Sequence, residues 1–109
     1  MSGNSQNDRN RNYKIIGTEY VTVATPGTPQ NPPSNTDAVF VRVRNNNATG
    51  QVCCGTNAAD VDATSTPLKG KVLNAYESKV VPVAANASEV EIDATVGGTV
   101  VECELWGRD

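Results

Sequence analysis

The chain has 109 residues and a mass of 11.5 kDa, enough for one ordinary domain and too little for a second with its own core. Hydrophobic residues make up 38%, and Val, Ile, Leu and Phe together number only 22, so the core is small. Of those, 15 are Val, while Leu and Met are scarce, which favours strands over a helical bundle. Histidine is absent, removing the commonest general base, metal ligand and partner of a Ser or Cys nucleophile, and a net charge of −3 with scattered Lys and Arg argues against a nucleic-acid surface.

No run of about 18 apolar residues exists, and Met1-Ser2-Gly3-Asn4 opens the chain with no apolar segment behind a charge. Neither a membrane span nor a secretory signal is therefore expected. Residues 1–12 hold four Asn and no large apolar residue after Met1, and are read as a flexible arm ahead of a single β domain at 13–109. Arg9 and Arg11 make that arm locally positive on an acidic protein, suited to docking on an acidic neighbour.

Residues 13–24, YKIIGTEYVTVA, are β-branched and aromatic and predict one long strand or two short ones, with Gly17 as a bulge or kink. Residues 25–37 contain four prolines and predict a long loop that wraps over a surface, its own or a partner's. Within 38–45, Val39, Val41 and Val43 alternate with Phe40, Arg42 and Arg44, which predicts a strand with one apolar face. Asn45 to Gly50 is turn chemistry, and a hairpin to a strand at 51–54 is expected. After a polar loop at 55–70, strand patterning resumes at 71–75 and 79–84. Near the C-terminus, Val90, Ile92, Ala94 and Val96 alternate with acidic and polar residues, Gly97-Gly98 forms a turn, and Val101, Cys103 and Leu105 alternate with Glu102, Glu104 and Trp106. A hairpin closing at Gly97-Gly98 would set Glu91 opposite Glu104, Asp93 opposite Glu102 and Glu89 opposite Trp106 on the outward face. Directly opposed like charges destabilise a sheet. Solvation, the Arg42 and Arg44 face of another strand or subunit, or a bound cation would each relieve them.

Cysteine usage is equally spare. Cys53, Cys54 and Cys103 lack any CxxC spacing, so no metal site is expected. Adjacent strand residues point to opposite faces, so only one of Cys53 and Cys54 can share the core face with Cys103 and bridge to it. Three small buried free thiols are the reading preferred, with an intrachain or intersubunit disulfide as the alternative. Aromatics are 5% of the chain, too few for a sugar-cleaving cleft lined by a carboxylate pair, and no catalytic residue or cofactor is expected.

From Phe40 onward, the succession VRVRNN, a turn at Gly50, QVCCGT, a polar insertion, KVVPVA and ASEVEIDATVGGTVVECEL resembles a group of small bacteriophage virion proteins. The chain departs from that group at Asn74-Ala75-Tyr76-Glu77, where Pro-Gly-Glu is common. The resemblance implies a small antiparallel β-sandwich or barrel that decorates and stabilises the assembled head. Its partners would be the major capsid protein or other virion proteins, and further copies of itself in a homo-oligomer such as a trimer. A neck or tail location, and a carbohydrate- or receptor-binding module using Tyr13, Tyr20, Tyr76 and Trp106, are the alternatives. The interface residues expected on these grounds are Arg9, Arg11, Arg42, Arg44, Glu91, Glu104 and Trp106.

Overall fold

The computed structural model describes residues 12–109 and is an all-β sandwich of two antiparallel sheets. Sheet A orders its strands β1 (Tyr13–Val23), β7 (Thr99–Arg108), β2 (Ala38–Arg44) and β5 (Ser78–Pro82). Sheet B orders β4 (Lys71–Leu73), β3 (Val52–Gly55) and β6 (Glu91–Ala94). Of the expected arm, residues 1–12, only Asn12 is among the described residues, and its carbonyl accepts the Asp109 N–H at 2.8 Å.

Strand alternation assigns faces as the sequence predicts. Val101, Cys103 and Leu105 of β7, Val41 and Val43 of β2, and Ile92 and Ala94 of β6 are buried and meet in one shared core with Val52, Cys54 and Leu73. The buried side chains of this shared core are Val, Ala, Cys, Leu and Ile only. Two faces built from valine-sized residues close over each other without needing aromatic volume. Val39, expected to join Val41 and Val43, is only half-buried, because β2 shifts register against β7 between Ala38 and Phe40. A matching shift between Ile15 and Gly17 bulges β1 on the other side of β7.

The strand pairings correct both expected hairpins. β6 pairs with β3, whereas β7 lies between β1 and β2 in the opposite sheet, so Gly97-Gly98 is a crossing from sheet B to sheet A. The Gly98 N–H bonds to the Val23 carbonyl at 2.8 Å, anchoring the crossing to the end of β1. Gly97 sits so close to the Ala24 carbonyl that a Cβ would stand 2.9 Å from its oxygen, which makes glycine necessary there. Val96, expected in the core, is exposed on this crossing. Asn45 to Gly50 is likewise an arch between sheets, since β2 pairs with β7 and β5 while β3 pairs with β4 and β6. Fully buried Asn45 holds that arch: its amide donates to the Gly50 and Leu73 carbonyls, and its Oδ1 accepts from the Asn47 backbone at 3.1 Å. In each case the apolar faces of consecutive strands pack face to face instead of lying side by side.

The loops treat the two sheets differently. The Pro-rich segment wraps its own domain: Gln30 and Ile92 exchange two backbone hydrogen bonds of 2.8 Å, adding a short rung to the free edge of β6. The 56–70 loop lays Val61, Ala63 and Leu68 over Cys53 and Val72 on the outer side of sheet B. Between these loops sits Asp93, which points out of the core as its alternation predicts yet is fully buried. Its carboxylate accepts from the Gly27 N–H at 3.0 Å to each oxygen, from Ala63 at 2.8 Å and from its neighbour Ala94 at 2.9 Å. Glu89 plays a smaller version of this role, accepting the Ala84, Ala85 and Asn86 N–H groups at 2.7–2.8 Å where a 3-10 turn, Ala87–Glu89, leads into β6. Those bonds hold its carboxyl below the ordinary value of 4.5.

Replacing Asp93 by Asn turns an amide donor toward backbone donors, and should lower the unfolding free energy by about 2–4 kcal/mol in urea denaturation with the slope unchanged. The Glu89 carboxylate is lowered in the folded state, so its contribution is present above the unfolded value and is lost as pH falls through the lower folded one. Accordingly Glu89→Gln should melt below the parent at pH 7, and the gap between the two should shrink progressively below pH 4.5.

Candidate interaction surface

Among the described residues the outer face of sheet A has no loop over it comparable to the roof of sheet B, and four of the five aromatic residues stand on it: Tyr13, Tyr20, Phe40 and Trp106. Register fixes their arrangement, because directly paired residues on neighbouring strands share a face. One row across the sheet runs Ile15, Trp106, Phe40, Pro82. The next runs Thr18, Glu104, Arg42, Val80, and the third Tyr20, Glu102, Arg44, Ser78. Phe40 and Trp106 stack with centroids 5.5 Å apart and planes 14° from parallel, Tyr13 meets Phe40 edge-on at 5.7 Å, and the Arg108 guanidinium lies over the Tyr13 ring. Of the seven exposed large hydrophobics among the described residues, five belong to this face: Tyr13, Ile15, Tyr20, Val80 and Val100. Such concentration on one side of a small domain marks an interaction surface.

Apart from Arg108 at the end of β7, the charges of the face form two columns. Glu102 and Glu104 lie on β7, and Arg42 and Arg44 lie beside them on β2. Arg42 Nη1 and Glu104 Oε1 are 3.2 Å apart, Arg42 Nε donates to Ser78 Oγ, and Trp106 Nε1 donates to the same Glu104 oxygen at 3.3 Å. Glu102 accepts instead from Asn46 Nδ2 at 2.8 Å. Arg44, directly opposite Glu102, leaves its Nε buried without an acceptor.

The expected interface residues divide accordingly. Arg42, Arg44, Glu104 and Trp106 come together on this face, and the pairing of Arg42 with Glu104 supplies within the chain the relief foreseen for an unpaired carboxylate. Glu91 does not join them. It lies on β6 opposite Gly55 in sheet B and accepts from Asn31 Nδ2 at 2.8 Å, so the expected Glu91–Glu104 opposition is absent. Asp93 likewise faces Cys53, not Glu102. Arg9 and Arg11 lie outside the described residues. Tyr76 is exposed in the turn before β5, with φ of 62°, away from the other aromatics. Phe40 and Ile15 were not among the expected interface residues, although the alternation that placed Arg42 and Arg44 outward placed Phe40 with them.

The three cysteines are buried free thiols. Cys54 shares the core with Cys103, whereas Cys53 lies on the opposite face of β3 under Val61 and Ala63, which is the division strand geometry requires. Burial pushes the Cys53 and Cys54 thiols up to about 11, with nearby Asp93 adding to the effect at Cys53 and Lys71 opposing it at Cys54. Burial and the neighbouring Cys54 push Cys103 up to about 12. Thiols held this firmly in the protonated form are poor nucleophiles. A cleft of about 540 Å³ lies where the two bulges flank Gly107, lined by Lys14, Ile16, Val39 and Arg108, on the side of β7 away from the Trp106 stack.

At pH 8 the native protein should react with an aromatic disulfide reagent only on the timescale of unfolding, and all three thiols should titrate once urea is added. Rapid labelling of any thiol in the folded protein would contradict the burial described. Among the described residues no helix is long and apolar enough to cross a membrane. Compared with protein-family models, with curated proteins and with solved structures, the chain matches none.

Proposed function

We propose that this chain is a bacteriophage virion structural protein of the head-decoration type, which attaches to the assembled particle and stabilises it without catalysing a reaction. The reading rests on the likeness of the Phe40-to-Leu105 segment to small virion proteins and on one structural observation. Sheet B is roofed by its own loops, whereas among the described residues no loop crosses the outer face of sheet A, where Tyr13 is exposed and Trp106, Phe40 and two arginines are half-buried. Aromatic and arginine side chains are the types that dominate binding energy at protein interfaces. On a particle bearing many equivalent sites, modest contacts are multiplied by the number of linked copies.

A second reading, a carbohydrate-binding β module, is favoured by the aromatic cluster standing next to the polar Arg42–Glu104 pair. Against it, the Phe40 and Trp106 rings already cover one face of each other.

Sedimentation of the purified chain with assembled phage heads that lack it separates the two. Saturable, stoichiometric co-sedimentation with heads is expected, weakened at least about 10-fold by Trp106→Ala. Binding to an immobilised glycan panel with no binding to heads would establish the carbohydrate reading in its place.

A further inference from the structure

We infer that the outer face of sheet A is self-complementary and that its first occupant is a second copy of the chain, packed face to face about a two-fold axis. This rests on the reading of the chain as an assembly protein and names the partner of the same face.

The argument begins from the two charge columns. A two-fold axis lying in the interface, parallel to the strands and midway between β7 and β2, exchanges left and right and keeps the position along the strands. Each β7 then lies over the other copy's β2. Glu104 meets the second copy's Arg42, Glu102 meets its Arg44, and Trp106 meets its Phe40, because each of these pairs shares one row of the sheet. At the margins Ile15 covers the other copy's Pro82, and Tyr20 covers its Ser78. No like charges oppose. The other in-plane axis, perpendicular to the strands, lays β7 on β7 and β2 on β2, and so sets glutamate on glutamate and arginine on arginine. Of the two in-plane dyads that keep the strands of the two copies aligned, the charge pattern thus selects one, and a dyad is the commonest symmetry of soluble oligomers.

Size and composition agree with this occupant. Four strands at about 4.8 Å spacing, over about eight residues at 3.4 Å each, make a patch of roughly 500 Å² per copy, or about 1,000 Å² in total, where specific interfaces begin. Ile15, Trp106 and Phe40 lie on one side of the central polar band, with Tyr20 and Val100 at its other end, so the charges would be desolvated between apolar margins. Arg44, which has no ion pair with the Glu102 beside it, gains a carboxylate from the second copy.

The mixing of two charge variants tests this. In Arg42→Glu every 42–104 contact across the dyad becomes acidic against acidic, and in Glu104→Arg every one becomes basic against basic. Mixed together, the acidic and basic variants pair correctly at both contacts. Sedimentation equilibrium should show the parent as a dimer, each variant alone with a dimer dissociation constant raised at least about 100-fold, and the mixture recovering a 1:1 heterodimer. Because both variants carry the same kind of like-charge pair within their own sheet, recovery on mixing reads the contact between copies and not a fold repaired within one. A monomeric or trimeric parent, or variants that dimerise alone as well as the parent does, overturns the inference. A monomer that still binds heads through Trp106 would leave the decoration reading standing, and one that binds neither itself nor heads would end both.

Discussion

Asp93 places a fully buried carboxylate on the outer side of sheet B, and three backbone N–H groups from three parts of the chain make that burial tolerable. Gly27 belongs to the Pro-rich loop, Ala63 to the 56–70 loop and Ala94 to β6 itself. One side chain therefore draws both long loops onto the same sheet. These loops are mostly polar, and the charge-assisted bonds add to the packing of Val61, Ala63 and Leu68 and to the Gln30–Ile92 rung in offsetting the entropy of ordering them. The asymmetry of the described residues, with sheet B closed and sheet A open, centres on this one site.

That asymmetry changes the meaning of the aromatic residues. Burying a Phe or Trp side chain contributes about 1.5–3 kcal/mol, a large share of a total stability of about 5–15 kcal/mol. The chain has five aromatics and places none in its shared core. It closes that core with valine-sized residues and leaves Phe40, Trp106, Tyr13 and Tyr20 where folding makes only partial use of them.

Strand alternation made the inner and outer faces legible. The runs at 40–44 and 100–106 divide core from surface as the alternation predicts, Val39 alone slipping at the bulge, and the division of Cys53 from Cys54 follows from the same period of two. Neighbours were not legible. A hairpin turn and a sandwich arch draw on the same Asn and Gly residues, and alternation looks identical whether the next strand lies alongside or across the core. Gly97-Gly98 and Asn45–Gly50 therefore carry the sequence pattern of hairpins, and the first of these implies a Glu91–Glu104 opposition that the fold does not contain. Asp93 escaped notice as a buried residue because its place in the alternation is the outward one; only loops distant in sequence cover it. The two bulges flanking β7, at Ile16 and Val39, had at most the hint of Gly17.

Once the true neighbours are known, the electrostatics invert. The carboxylates of β7 face arginines of β2, not carboxylates of β6, so the band across sheet A is locally near neutral while the whole chain carries −3. A surface of one sign would repel an identical surface and favour a partner of opposite charge. A surface divided into an acidic and a basic column, with apolar margins, repels neither itself nor a neutral partner, and discriminates by the order of its columns. The order is fixed by strand sequence in the sheet, which the arches at Asn45 and Gly97 determine. The same crossings that hid the topology from the sequence thus set the specificity of the exposed face.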